Sequence, residues 1–174
     1  MKKLEDYVRS IPNFPKEGII FRDITTVLQD PEGLRLAIDR MRNCIKDTDF
    51  DVVVAPESRG FIFGVPIAYC EGKSFVPVRK KGKLPCETIA EEYDLEYGTA
   101  VLEIHKDAIC KGQKVVIVDD LLATGGTIQA IINLVERLGG EVVKVCCLIE
   151  LPGLNGRKNL EGYDVNSIME FDGE

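Results

Sequence analysis

The stretch Val115 to Thr127, VVIVDDLLATGGT, joins an apolar run to two adjacent carboxylates and a loop of small residues. Val115 to Val118 is β-branched, so it predicts a buried central strand that ends at Asp119 and Asp120. After the loop, apolar residues recur at the spacing of one helical face and a glycine pair follows them: Ile128, Ile131, Ile132, Val135, Leu138, then Gly139 and Gly140. Ala123 to Thr127 is therefore predicted to be the turn that opens a helix.

The composition of this turn suits an anionic ligand. Gly125 and Gly126 let the backbone approach a ligand closely, and the unpartnered N–H groups of a first helical turn attract anions such as phosphate. Thr124 and Thr127 add hydroxyls, while the upstream carboxylates suit a vicinal diol such as a ribose, or a metal ion that carries one. Each feature alone is also explained by a buried strand, a solvated acidic pair and a helix cap, but their occurrence in one register favours a binding site.

Length and composition restrict the classes of protein that need considering. With 174 residues, 45% of them apolar and 29% charged, the chain fits one globular domain. A net charge of −7 argues against nonspecific binding of nucleic acid or anionic membranes, so a polyanionic substrate would need local donors and metal. The sequence has no apolar run of membrane-spanning length and begins without a signal-peptide core, so we expect a cytoplasmic location. Its cysteines show no CxxC spacing, which disfavours zinc.

A second unit repeats the arrangement of strand, short turn and helix. Asp51 to Pro56, DVVVAP, predicts a parallel strand that runs into Glu57 to Gly60, ESRG, before a helix over Phe61 to Cys70. Because the carboxyl ends of parallel strands meet at one edge of a sheet, this turn predicts a second anion site beside the first. Strands alternate with helices along the chain, which predicts an α/β fold with a mostly parallel sheet of about five strands flanked by helices.

Two segments are irregular in composition. Asn13 to Asp23 contains Pro15 and Gly18, which discourage regular structure, yet it also contains the apolar run from Ile19 to Phe21. That run either plugs the core or lines a pocket, and composition alone favours the plug. Arg79 to Gly98 changes from basic to acidic and has few core residues to anchor it. We expect a functional loop at the tip of a β-arm, with Thr99 to Ile104 as a strand that pairs back on it.

Taken together, several motifs resemble the type I purine phosphoribosyltransferases, most closely the adenine-specific ones, over nearly the whole chain. The motifs are IIFRDIT (19–25), ESRGFIFG (57–64), RKKGKLP (79–85), LEYG (95–98), the opening stretch and LIELPGLNGR (148–157). The resemblance implies a single domain over residues 1–174. It also implies a small N-terminal hood over residues 1–30 that recognises the base, and a flexible catalytic loop over residues 79–98.

The resemblance assigns roles to individual residues. Asp119 and Asp120 would meet the ribose hydroxyls, and the turn would hold the 5-phosphate through Ala123, Thr124, Gly125, Gly126 and Thr127. A pyrophosphate loop would comprise Ser58, Arg59 and Gly60, with a cis peptide bond between Glu57 and Ser58; many relatives have aspartate in place of Glu57. Further substrate contacts are implied for Arg79, Lys80, Lys83 and Tyr97.

Base recognition is likewise implied by the resemblance, and it changes the interpretation of the first irregular segment from plug to pocket. Phe21 would stack on one face of adenine and Leu151 would cover the other, while backbone groups of Ile20 and Arg22 would read the ring edge. Glu96 would approach the imidazole nitrogens of the base. A carboxylate there is suited to accept the proton that the ring loses when its nitrogen bonds to the anomeric carbon.

The implied reaction converts adenine and phosphoribosyl pyrophosphate to AMP and pyrophosphate. Mg²⁺ is the implied cofactor, bound through the substrate and without direct protein ligands, and the implied assembly is a homodimer, with no nucleic-acid or membrane partner. Two alternatives stay open: a phosphoribosyltransferase for hypoxanthine or xanthine, and a non-catalytic, ligand-sensing regulator of the same fold. Regulators of that kind carry an added DNA-binding segment and a basic surface, which this sequence lacks.

Overall fold

The described residues, 2–94 and 99–172 of a computed structural model, form strands, α-helices and short 3-10 helices. The strands are β1 (Arg9–Pro12), β2 (Ile20–Asp23), β3 (Val52–Pro56), β4 (Ser74–Lys80), β5 (Thr88–Asp94), β6 (Thr99–His105), β7 (Lys114–Leu122), β8 (Glu141–Glu150) and β9 (Val165–Glu170). The α-helices are α1 (Thr25–Gln29), α2 (Pro31–Ile45), α3 (Arg59–Glu71) and α4 (Gly126–Arg137). The 3-10 helices span Leu4–Tyr7, Pro152–Leu154 and Gly156–Leu160.

The main sheet has the strand order β5-β6-β4-β3-β7-β8-β9. The five strands β4, β3, β7, β8 and β9 are parallel to one another. Beyond β4 the sheet continues through β6 and β5, which form an antiparallel arm. The prediction of a mostly parallel sheet of about five strands with a β-arm is therefore confirmed. The parallel strands are rich in valine and isoleucine because helices cover both of their faces.

Alternation along β7 divides the interior into two cores. Val115 and Ile117 face a core that contains the apolar residues of α4, whereas Val116 and Val118 face a core that contains those of α2 and α3. Successive side chains of a strand point to opposite faces, so this strand is buried on both sides. The strand was predicted to end at Asp119 and Asp120, but it continues to Leu122, because its pairing with β8 extends that far. The two cores give way to a cavity at the acidic pair.

The first irregular segment contains more regular structure than its composition indicates. β1 and β2 pair as an antiparallel ribbon, with Ile11 opposite Phe21, and the connection between them contains Pro15 and Gly18. The apolar run belongs to neither buried core, and Ile20 is exposed. The plug interpretation of this run is therefore wrong, since the cores are filled by other residues.

The second irregular segment also contains a strand. β5 pairs with β6 along its full length, from Thr88 opposite His105 to Asp94 opposite Thr99. The expectation that few residues anchor this segment is wrong, because Ile89 and Tyr93 pack against the core on the α4 side of the sheet. The LEYG motif lies outside the described residues, and flexibility of the loop stays a prediction. No helix in the described ranges is both long and apolar enough to cross a membrane.

Candidate active site

A cavity of about 220 Å³ lies at the carboxyl edge of the parallel strands. It is bordered by the ends of β3 and β7, by the turn before α4 and by parts of β4 and β5. It brings together the following residues that the sequence predicted: Ser58, Arg59, Lys80, Asp119, Asp120, Ala123, Thr124, Gly125, Gly126 and Thr127. The two turns predicted as anion sites therefore face each other across one cavity, as the shared strand edge requires.

The acidic pair on the floor of this cavity is almost fully buried. Asp119 is 7% exposed and Asp120 is 5% exposed, and the Asp120 amide donates to Asp119 Oδ1 at 2.8 Å. The Arg59 guanidinium lies 2.9 Å from Asp120 Oδ2. Burial, and then the charge of Asp120, raises the pKa of Asp119 well above its usual range. Burial also raises the pKa of Asp120, against the opposing effect of Arg59. Hydroxyl donors or a cation would favour the charged form of both groups.

The start of α3 lies against this pair because residue 60 is glycine. A Cβ on Gly60 would lie 2.8 Å from Pro56 Cδ and 3.1 Å from Asp119 Oδ1, so a larger residue would push the helix away from the acids. The cis peptide bond implied between Glu57 and Ser58 is present. Gly60 does not itself line the cavity; its effect is to let Ser58 and Arg59 do so.

The turn before α4 is supported by a segment that follows β8. Gly125 has a φ of +84°, and a Cβ on it would lie 2.5 Å from the carbonyl oxygen of Gly156. A Cβ on Gly156 would in turn lie 2.2 Å from the carbonyl oxygen of Ala123. Asn159 Nδ2 donates to the Thr124 carbonyl at 2.8 Å. The shape of the turn therefore depends on a backbone-to-backbone contact that only glycine allows at these two positions.

Sequence reasoning missed the support that Gly156 and Asn159 provide. Both residues lie in or just after the LIELPGLNGR motif, for which the resemblance implied a role for Leu151 alone. The Asn159 hydrogen bond joins residues 35 positions apart, so no local spacing could have indicated it. The motif contains two glycines, Gly153 and Gly156, and the second was the one available signal, since a glycine between irregular residues often marks a close backbone approach.

Glu57 connects the first turn to the end of β4. Its Oε1 accepts from the Lys80 amide at 2.7 Å and lies 3.2 Å from Arg79 Nε. Arg79 Nη1 also donates to the Lys83 carbonyl at 3.4 Å. Lys80 lines the cavity, whereas Arg79 and Lys83 are not among its lining residues. Glu57 thus contacts the basic segment directly.

Of the residues implied in base recognition, the four that the structure describes (Ile20, Phe21, Arg22 and Leu151) do not line this cavity. Phe21 is half-buried and packs edge-on against Phe14, with ring centroids 5.3 Å apart. The Arg22 guanidinium donates to Ser10 Oγ and to the Asp172 carbonyl, both at 2.6 Å, so its side chain holds the ribbon to the C-terminal segment. The Leu151 amide donates at 3.0 Å to the carbonyl of Leu122, a lining residue, which places Leu151 next to the cavity wall.

Tyr93 is a lining residue that sequence reasoning did not single out. It lies on β5 in the alternation Ile89, Glu91, Tyr93, and residues two apart on a strand share one face. That period-two alternation was the signal available, but the surrounding acidic residues made the segment resemble a solvated loop. Glu96 and Tyr97, to which the resemblance assigns roles, lie outside the described residues.

The acidic side chains at the cavity suit a metal ion that is bound mainly by a substrate. Within residues 2–94 and 99–172, no group of three or more histidine, cysteine or acidic side chains could hold a metal ion by itself. Mg²⁺ in proteins is commonly bound by one or two carboxylates together with substrate phosphates. Asp119 and Asp120 are two buried carboxylates beside a turn suited to phosphate, so a metal ion carried into the cavity by a substrate would meet compatible negative charge there.

Comparison with known proteins agrees with this geometry. Residues 23–172 match the phosphoribosyl transferase domain, and the chain therefore belongs to that family. An adenine phosphoribosyltransferase of Lachnoclostridium phytofermentans is 66% identical over 174 residues, which cover 100% of both chains. The crystal structure of the adenine phosphoribosyltransferase from Thermoanaerobacter pseudethanolicus superposes with a TM-score of 0.94, at 55% identity over 97% of this chain and 100% of that one.

A yeast structure is similar to the chain and contains ligands. The adenine phosphoribosyltransferase from Saccharomyces cerevisiae, complexed with adenine and an imino-altritol bisphosphate, superposes with a TM-score of 0.89. It is 39% identical, and the match covers 95% of this chain and 96% of the yeast chain.

Proposed function

We propose that the chain transfers the 5-phosphoribosyl group of phosphoribosyl pyrophosphate to adenine, giving AMP and pyrophosphate in purine salvage. One observation carries the proposal: a buried acidic pair and a Thr-Gly-Gly-Thr turn at the start of α4 border one cavity with the turn at the start of α3. The adenine phosphoribosyltransferases similar to this chain over its full length support adenine as the acceptor.

The ribose 5-phosphate part of the donor substrate fits the β7 side of the cavity. Backbone N–H groups of the turn from Ala123 to Thr127, at the positive end of α4, would hold the 5-phosphate. Asp119 and Asp120 would accept hydrogen bonds from the ribose hydroxyls. As the bond to pyrophosphate breaks, positive charge develops on the ribose, and two carboxylates in a poorly hydrated site stabilise it strongly.

The pyrophosphate fits the opposite side of the cavity, where Ser58, Arg59 and Lys80 lie. Arg59 is 43% exposed, so it can contact a ligand while it stays close to Asp120. Arg79 and Lys83 would add positive charge only if their side chains reorient from their present contacts. Mg²⁺ bound through oxygens of the substrate, as the resemblance implies, would supply further positive charge to the leaving group.

The roles proposed for the base side rest on the resemblance and on the related enzymes. Phe21 and Leu151 would cover the two faces of adenine, with the backbone of Ile20 and Arg22 at its edge. Glu96 would accept the ring proton, and Tyr97 would contact the donor substrate. The adenine bound in the yeast relative supports the proposal that a base is an acceptor in this fold.

A homodimer is part of the proposal, and α3 offers a surface for it. Ile62, Val65 and Tyr69 are exposed at a spacing of three and four residues, and Tyr69 is 85% exposed. This stripe lies on the helix whose first residue, Arg59, lines the cavity, so a second copy packed there would lie near the pyrophosphate side. Light scattering of wild type and Val65→Asp should give two chains and one chain respectively. A wild-type monomer would refute the dimer.

A cytoplasmic location stays a prediction.

The test is to incubate the protein with phosphoribosyl pyrophosphate, Mg²⁺ and either adenine, hypoxanthine or xanthine, and to measure nucleotide and pyrophosphate together. We expect AMP and pyrophosphate in equal amounts, with much slower turnover of the other two bases. Faster use of hypoxanthine or xanthine would establish a different purine specificity. Tight binding of a ligand without turnover of any base would instead indicate the regulator.

A further inference from the structure

The side chain of Glu91, on β5, bonds to two residues of α4. Asn133 Nδ2 donates to Glu91 Oε1 at 2.7 Å, and Arg137 Nη1 donates to Glu91 Oε2 at 2.9 Å. Arg137 Nη1 also donates to the backbone carbonyl of Ala90 at 2.7 Å. Gln129 Nε2 donates to Asn133 Oδ1 at 3.0 Å, which continues the network toward the start of the helix.

This network joins the two elements that border the cavity on the α4 side. Gln129, Asn133 and Arg137 are four residues apart, so they form one ridge along α4, whose first turn belongs to the predicted phosphate site. Glu91 and Tyr93 are two residues apart on β5 and share the face that packs against α4. The strand that brings Tyr93 into the cavity wall is therefore bonded to α4 through Glu91.

We infer that Glu91 is a positioning residue, which acts through Tyr93 by holding β5 against α4 so that the tyrosine ring forms the cavity wall beside the phosphate-binding turn. The inference rests on the proposed phosphoribosyl transfer. The Glu91 side chain is 24% exposed, and its carboxylate accepts a bond from an amide and a bond from a guanidinium. The bond from Asn133 is partly buried, whereas the bond from Arg137 is exposed on the arginine side. Hydrogen bonds to an ionised carboxylate are stronger than bonds between neutral groups.

The alternative is that Glu91 only stabilises an edge strand. An edge strand pairs with a neighbouring strand on one side only. A side chain that bonds such a strand to a helix would therefore stabilise the fold even if it had no effect on the reaction. The two roles differ in what they predict for a folded variant. A purely structural role lowers the melting temperature but leaves the chemical step intact well below that temperature, whereas a positioning role slows the step while the protein is fully folded.

The experiment compares Glu91→Ala with Glu92→Ala. Glu92 is the matched control, because it is the next residue of the same strand, has the same charge, and is exposed. Hydrogen exchange at the β5 amides reports on the strand without any turnover, and single-turnover AMP formation reports on the chemistry. Both are measured well below the melting temperature of each variant. We expect Glu91→Ala to accelerate β5 exchange and to slow single turnover, each by about tenfold or more, because it removes both bonds that the carboxylate accepts.

Glu92→Ala should stay within about twofold of wild type in both measurements. Glu91→Gln keeps an acceptor for Asn133 but loses the ion pair with Arg137, so it should fall between wild type and Glu91→Ala. Faster β5 exchange with an unchanged single-turnover rate would overturn the inference and leave Glu91 a structural residue. If the wild type forms no AMP, the proposed function fails, while the exchange measurement still tests the bond between β5 and α4 separately.

Discussion

The N-terminal hood and the cavity each contain buried carboxylates, and the pKa values of these groups move in opposite directions. In the hood, Asp23 is 6% exposed and accepts bonds from the Thr25 amide at 2.9 Å, the Thr25 hydroxyl at 2.8 Å and Arg9 Nε at 3.0 Å. The Thr25 amide and then Arg9 lower the pKa of Asp23 to about 2. In the cavity, burial raises the pKa of both Asp119 and Asp120.

The comparison separates a carboxylate whose charge is satisfied within the protein from the pair that we propose binds a ligand. The charge of Asp23 is satisfied within the protein, so this residue fixes the end of β2 to α1. The charges of Asp119 and Asp120 are only partly satisfied, by Arg59 and by one amide. Groups whose burial is not compensated within the fold mark a site where a ligand completes the interactions. The same degree of burial therefore has opposite meanings in the two regions.

The largest effect is expected at the cavity pair. Asp119→Asn should lower kcat/KM for phosphoribosyl pyrophosphate by about 10²–10³-fold, because it removes a preorganised charge from the transition state. Stability should not fall at neutral pH. Since the folded pKa of Asp119 lies above its unfolded value of 3.8, its contribution to stability is full below that value and is lost as pH rises through the raised pKa. The melting temperature of the variant relative to wild type should therefore rise with pH above about 4.

Asp23→Asn is the control in the hood, and its pH dependence has the opposite sign. The pKa of Asp23 is lowered, so its contribution is present above 3.8 and is lost as pH falls through about 2. We expect a lower melting temperature at neutral pH, with a difference from wild type that disappears in strong acid. Equal effects of the two substitutions on kcat/KM would remove the distinction between the regions.

The second prediction compares two glycines of similar φ, which is +84° at Gly125 and +89° at Gly18. An alanine at either position is strained by about 1–2 kcal/mol. At Gly125 the added Cβ would also meet the Gly156 carbonyl at 2.5 Å, whereas at Gly18 it would meet nothing within 4 Å. Gly125→Ala should raise the Kd for phosphoribosyl pyrophosphate, measured by calorimetry, by about 10²-fold. Gly18→Ala should change it less than about threefold. A small effect at both sites would show that the turn tolerates movement of the Gly156 segment.

The third prediction tests the hood as the base-binding region. Phe21→Ala should raise the apparent KM for adenine by about 5-fold to 150-fold, which corresponds to the roughly 1–3 kcal/mol of base–aromatic stacking. The KM for phosphoribosyl pyrophosphate should stay unchanged. Phe21 belongs to neither core cluster, so the melting temperature should fall little. Normal use of adenine together with a large fall in melting temperature would show that the ring stabilises the fold and does not stack on the base.

The smallest effect is expected at the support of the phosphate-binding turn. Asn159→Asp keeps the size of the side chain but removes the amide that donates to the Thr124 carbonyl. We expect the KM for phosphoribosyl pyrophosphate to rise about threefold to tenfold, as for one hydrogen bond of roughly 1 kcal/mol. The control is Asn155→Asp, because that amide is equally exposed but bonds to the Gly153 carbonyl at 3.3 Å and not to the turn. Identical kinetics for the two variants would exclude a supporting role for Asn159.

Local order in the sequence predicted the strand, the turn and the helix of this region well. A β-branched run, two acids, small residues and a helical stripe follow one another within Val115 to Leu138, and each is a short-range signal. The hood and the arm were predicted less well. Pro15 and Gly18 concealed the strand Ile20–Asp23, and the acidic residues around Tyr93 concealed the strand Thr88–Asp94. Pairing with a distant strand outweighed local propensity in both.

The sequence by itself determined the alternation of strands and helices, the position of the acidic pair at a strand end, and the glycine turn that opens α4, because each depends on residues close together in the chain. Only the tertiary structure decided which distant side chains support those elements. Glu57 meets Arg79 across 22 positions, Asn159 meets Thr124 across 35, and Glu91 meets Asn133 across 42. Such contacts have no period along the sequence, since they arise only when the strands align and place the elements that follow them at one edge of the sheet.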